Sequence, residues 1–129
     1  MPADRFLIDT HTFLWMAAEP ERLSSRARRI CTSADLLLSV ASIWEIGIKF
    51  HIGKLPLPAP PAEYIERNVR YAGITILPIS YRHALTAAAL PLVHKDPFDR
   101  MLAAQCLEER LPFITKDKIL SHFGIEIIW

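Results

Sequence analysis

Four acidic residues, Asp9, Glu45, Asp99 and Asp117, lie far apart in the chain but at positions a fold could bring to one spot. Carboxylates gathered that way repel: each pair 4 Å apart costs about 4 kcal/mol at an effective dielectric near 20. Such a cluster therefore needs protons or a cation. A hard divalent cation fits, because magnesium takes oxygen ligands, keeps several waters and is commonly held by one or two carboxylates plus a substrate phosphate. The chemistry that follows is phosphodiester hydrolysis, in which the ion activates water and stabilises the leaving oxygen.

Each acid also has a plainer reading. Asp9 follows a short apolar run and serves equally well as helix cap or as ligand. Glu45 precedes Lys49 by four residues, and taken alone that spacing favours an exposed helix pair. Asp117 divides evenly between a cap and a ligand. Residues 94–105 read HKDPFDRMLAAQ, with Asp96 placed to cap a helix and Pro97 at its first position. Asp99 falls third, where its carboxylate can reach back to the cap's backbone N–H in a capping box. Asp96 reads as a cap before a ligand, whereas the two roles of Asp99 are compatible, since the positive helix end keeps its carboxylate ionised. His94 is placed to act as a base or phosphate contact, though a lone histidine before a helix is more often a polar loop residue.

The elements that must position these groups alternate. Apolar runs at 6–8, 36–40, 75–78, 112–115 and 125–128 read as strands. Between them, residues 10–18, 25–34, 41–52, 62–72, 80–90 and 97–109 read as helices, with a short helical turn at 118–123. Ser24 or Ser25 and Ser80 are the expected caps, and Gly53 and Gly73 the expected stops. Ile43, Ile46, Gly47 and Phe50 form the apolar stripe of the third helix, with Glu45 on a different face. Residues 55–61 carry four prolines and make a stiff connection between helices. The expected fold is α/β: one domain over residues 1–129, with a short, mostly parallel central sheet of four to five strands and helices on both faces. Asp9 and Asp117 then sit just beyond carboxyl ends of strands, the edge where open parallel sheets bind ligands.

Bulk properties narrow the function classes. A chain of 129 residues with 51% hydrophobic and 22% charged residues suits a globular domain. No apolar run reaches the 18 or so residues of a membrane span, and the opening MPADR carries no signal-peptide core, so a cytoplasmic location without membrane association is expected. Net charge +1 argues against a strongly basic coat, although Arg26, Arg28, Arg29, Arg67, Arg70 and Arg82 could form local patches. Cys31 and Cys106 read as buried helical thiols without chemistry. No histidine or cysteine spacing suits zinc, and no phosphate loop or nucleophile elbow occurs. Trp15, Trp44 and Trp129 read as core or interface residues rather than base-stacking platforms.

Four stretches together carry a family resemblance: FLIDTHTFLW at 6–15, SIWEIGIK at 42–49, HKDPFDRMLAAQ at 94–105 and FITKD at 113–117. In this order and spacing they resemble a PIN domain of the VapC toxin type. The resemblance implies a magnesium- or manganese-dependent endoribonuclease that cleaves RNA, forms homodimers and is silenced by a cognate VapB-type antitoxin whose tail lies across the active-site groove. It also implies that Asp9, Glu45, Asp99 and Asp117 are the acidic cluster, with Asp9 and Asp99 as direct metal ligands. Glu45 and Asp117 would hold the metal or its waters. Thr10 and Thr115 would support the site through their hydroxyls, and His94, Asp96 and Arg100 are the further substrate-contacting or supporting groups. Asp99 is preferred to Asp96 as the third acid because the helical Leu-Ala-Ala run follows it.

Alternatives remain: a PIN-type nuclease that is not a toxin, or an inert α/β binding module whose acids are caps. A haloacid-dehalogenase-like phosphatase would need a second Asp two residues after Asp9, where this chain has His11.

Overall fold

The computed structural model describes residues 4–129. The opening Met1–Ala3, part of the start expected to lack a signal-peptide core, lies outside the described residues. Five strands, β1 (Arg5–Ile8), β2 (Asp35–Ser39), β3 (Thr75–Leu77), β4 (Phe113–Ile114) and β5 (Ile127–Ile128), form one sheet in the order β3-β2-β1-β4-β5. Every pairing is parallel. Parallel strands need crossover connections, and helices supply them: α1 (Thr10–Ala18), α2 (Ser25–Ser33), α3 (Val40–His51), α4 (Pro61–Ala72), α5 (Tyr81–Ala89) and α6 (Pro97–Glu109).

Alternation along β1 sends Phe6 and Ile8 to one face, where they pack with Phe13, Ala27, Ile46 and Ile65 from α1 to α4. Leu7 goes to the other, joining Leu102, Ala103 and Cys106 of α6. The expected two-faced cover is therefore present, and both faces of the short strands are apolar, as a buried parallel sheet requires. Among the described residues, no helix is long and apolar enough to cross a membrane.

Most boundaries lie within a residue or two of expectation. Ser39 ends β2, and its hydroxyl accepts the N–H of Ala41 at 3.0 Å, so helix α3 starts at Val40, a residue expected in the strand. Ser24 rather than Ser25 caps α2. Gly73 closes α4 at φ 66°, a left-handed conformation that glycine adopts without Cβ strain. The last strand is shorter than expected: Gly124 turns the chain at φ 79°, and Ile125 packs with the α6-side cluster instead of pairing.

Three expectations need correction. The third helix's Glu45 is buried at 8% exposure, although its pair with Lys49 does form. Trp44 is 65% exposed, which removes the core half of its core-or-interface reading, whereas Trp15 and Trp129 pack edge to face at 5.9 Å between ring centres. Cys31 is only half-buried, while Cys106 is buried as expected. Burial pushes the Cys31 thiol up to about 11 and the Cys106 thiol higher still, so both are protonated at neutral pH.

Candidate active site

Strand order reverses between β1 and β4: the chain runs outward through β2 and β3, then returns to the other side of β1. In open parallel sheets the crevice at such a reversal, beyond the carboxyl ends, is where ligands bind. Asp9 follows β1 directly, and Thr115 follows β4. The Thr115 hydroxyl donates to Asp9 Oδ2 across the crevice. The register of Ile8 with Ile114 sets the two facing each other, and the Asp9 N–H bonds Ile114 O at 3.2 Å.

Each acid is held by backbone that its own sequence shapes. Asp9 caps α1, its Oδ1 accepting the N–H of Thr12 at 2.7 Å, so the cap and the site share one residue. The same Thr12 anchors itself by donating its hydroxyl to Ile114 O at 3.1 Å. Asp117 caps the following 3-10 turn through the N–H of Ile119 at 3.0 Å, while its own N–H bonds the Thr115 hydroxyl at 3.1 Å. The Thr115 hydroxyl thus links Asp9 and Asp117.

Glu45 comes in from α3. Its Oε1 accepts the Thr10 hydroxyl at 2.7 Å, and Lys49 Nζ donates to Oε2 at 2.8 Å. Ser42, 2.9 Å from the Thr10 hydroxyl, completes this buried group. Sequence reasoning passed over Ser42 and Thr12. Ser42 lies three residues before Glu45, one turn back on the same helix face, and that spacing was the available signal.

Asp96 and Asp99 separate as expected, though by a different device. Exposed Asp96 is the N-cap of α6, its Oδ1 accepting from the N–H groups of Phe98 at 2.8 Å and Asp99 at 3.2 Å. The reciprocal half of the expected capping box is absent, because the Asp99 carboxylate turns to His94 Nε2 at 2.7 Å. His94 is therefore more than a polar loop residue. Its backbone is tied down by Arg100, whose two terminal nitrogens donate to the carbonyls of Ala87, Leu90, Pro91 and His94 at 2.7 to 3.1 Å. The Arg100 guanidinium so occupied is buried.

His94, Asp99 and Asp117 each offer a ligand atom, and these atoms lie within 4.8 Å of one another. Asp9 joins that group through Thr115, and Glu45 lies near enough for its charge to act on Asp99. Burial pushes the Asp99 carboxyl above the usual carboxylate range, the His94 hydrogen bond and charge oppose this, and the Asp96 and Glu45 charges add to it. The two carboxylates within one ion's reach suit a divalent cation that favours oxygen ligands, while the His94 imidazole beside them is engaged by Asp99.

Residues 6–126 match the PIN domain family. Ribonuclease VapC22 of Mycobacterium tuberculosis is 34% identical over 122 residues, covering 90% of each chain. Among solved structures, VapBC2 from Rickettsia felis bound to a promoter DNA fragment superposes with TM-score 0.72 at 8% identity, covering 96% of this chain and 97% of that one. DNA-bound VapBC from Salmonella typhimurium gives 0.67 at 17% identity and 98% coverage of both chains. At such identities the two structures speak for the fold.

Proposed function

The chain belongs to the PIN domain family, and on that premise we propose that it is a metal-dependent endoribonuclease and the toxin of a toxin-antitoxin pair. The observation that supports this reading is that Asp99 and Asp117 offer oxygens within 4.8 Å of each other, while the Thr115 hydroxyl joins Asp117 to Asp9. Asp9, Asp99 and Asp117 would hold magnesium or manganese, and Glu45, held by Thr10 and Lys49, would act on the ion's waters. When bound, such an ion activates water and stabilises the leaving oxygen of a phosphodiester. The residues themselves do the positioning: Thr115 fixes Asp9 relative to Asp117, and Arg100 fixes the segment from which His94 meets Asp99.

The named ribonuclease relative supports RNA as substrate, and the complexes among the structural neighbours support a VapB-type antitoxin as partner. Homodimer formation and a cytoplasmic location belong to the same reading. Purified protein is expected to cut RNA with magnesium or manganese, and EDTA or Asp9→Asn to abolish cutting. Cleavage that survives both treatments would sink the metal mechanism.

A further inference from the structure

The carboxyl edge of the sheet continues past the acids to β5. Ile8, Ile114 and Ile128 are level across β1, β4 and β5, so the residues that follow them, Asp9, Thr115 and Trp129, leave the sheet side by side. Asp9 and Trp129 are therefore two strand spacings apart, about 10 Å. The Thr115 N–H bonds Ile128 O at 3.2 Å and fixes that register. Trp129 is braced from α1, the helix that Asp9 caps: its indole packs against Trp15, whose ring lies under the Arg22 guanidinium at 4.4 Å.

A cavity of about 320 Å³ opens beside this ring, lined by Trp129, Ile127, Arg26, Lys118 and Ser121. Its size suits a nucleotide-sized group rather than a bare ion. Arg26 lies in the first turn of α2, and Lys118 follows Asp117, so the turn that offers an acid to the metal-binding group offers a cation here. Both cations are exposed, and neither makes an ion pair among the described residues. Ser121 holds the turn by donating its hydroxyl to Lys118 O at 2.7 Å. Two unpaired cations against an apolar wall select a phosphate carried on an organic group.

Resting on the nuclease reading, we propose that this pocket binds a backbone phosphate of the RNA a nucleotide or two from the bond that is cut. Arg26 and Lys118 take the phosphate, and Trp129 and Ile127 lie against the adjoining sugar. Contacts of this kind fix register and orientation and carry no sequence information. The RNA then leaves the acids over β4 and β5.

The test is binding of a short single-stranded RNA of mixed sequence in magnesium, read by anisotropy over a range of salt in the non-cutting Asp9→Asn background. Arg26→Gln and Lys118→Gln are each expected to make the slope of log affinity against log salt shallower by about 0.7, and the double variant by about 1.4. Arg70→Gln, at an exposed arginine on α4 outside the pocket, should leave the slope unchanged. Scanning one uncharged methylphosphonate along the RNA should find a position that weakens binding to the background protein and not to the double variant. Slopes unmoved by Arg26→Gln and Lys118→Gln, or moved equally by Arg70→Gln, would overturn the proposal. A loss confined to 5′-phosphorylated RNA would overturn it too, because the pocket would then serve terminal phosphates. Cleavage by the wild-type protein is scored separately: RNA held through the pocket but never cut overturns the nuclease reading and leaves the pocket standing.

Discussion

Asp99 carries opposing demands that one substitution can separate. Its carboxyl is raised mainly by burial, with the Asp96 and Glu45 charges adding to this and His94 opposing it. A carboxyl raised in the folded state binds its proton more tightly there than in the unfolded chain. Its contribution to stability is thus full below the ordinary carboxylate value and lost as pH rises through the raised one. Metal-free Asp99→Asn should therefore melt above the wild type at neutral pH in EDTA and lose that difference in acid, while RNA cleavage falls by about 10–100-fold or more. A lower melting temperature for Asp99→Asn at neutral pH would contradict the burial argument. Thr115→Val tests the hydroxyl between Asp9 and Asp117 at constant shape. Leaving the Asp117 N–H unpaired should cost about 1–2 kcal/mol in urea unfolding, and the misplaced acids about 10–100-fold in cleavage. Thr115→Ser should recover both.

At the scale of elements, the end of α5 and the start of α6 are joined through one side chain. Arg100, near the start of α6, donates to the carbonyls of Ala87 and Leu90, where helix α5 ends with unpaired acceptors and a negative dipole end. The same guanidinium holds Pro91 and His94 in the connecting segment. Arg100→Met keeps the apolar stem but removes these bonds, and is expected to destabilise the fold by about 2–3 kcal/mol. Hydrogen exchange should rise selectively over residues 88–95, and cleavage should fall as His94 is released. Uniform exchange across the whole molecule would instead mean that Arg100 serves global stability alone. The pairing of His83 with Glu109 at 2.8 Å gives α5 and α6 a second joint, so the helices should remain docked in that variant.

For the whole molecule, the buried Asp99 carboxylate is a cost to folding at neutral pH that a bound cation would relieve. Magnesium or manganese at about a hundred times its dissociation constant should raise the unfolding free energy by about 2.7 kcal/mol, measured as a shift in denaturant midpoint. Asp99→Asn should largely remove that response. A wild-type midpoint unmoved by either ion would return the acids to service as caps. The elements that make this possible were largely legible in the chain: caps at Asp9, Ser24, Ser80 and Asp96, a stop at Gly73, and apolar runs short enough to be buried strands. Asp9, Asp99 and Asp117 were legible as candidates, because each follows a strand or opens a helix.

The sequence by itself determined the local structure and the candidate acids, since capping, helical spacing and strand alternation act over a few residues. Only the tertiary structure decided what those acids touch. The burial of Glu45 against Thr10, the turn of Asp99 toward His94, the support from Arg100 and the exposure of Trp44 all depend on contacts between α1, α3, α6 and the segment before α6. Those contacts follow from the strand order β3-β2-β1-β4-β5, which brings Asp9 and Thr115 together from 106 residues apart. Local periodicity carries no record of a pairing at that distance.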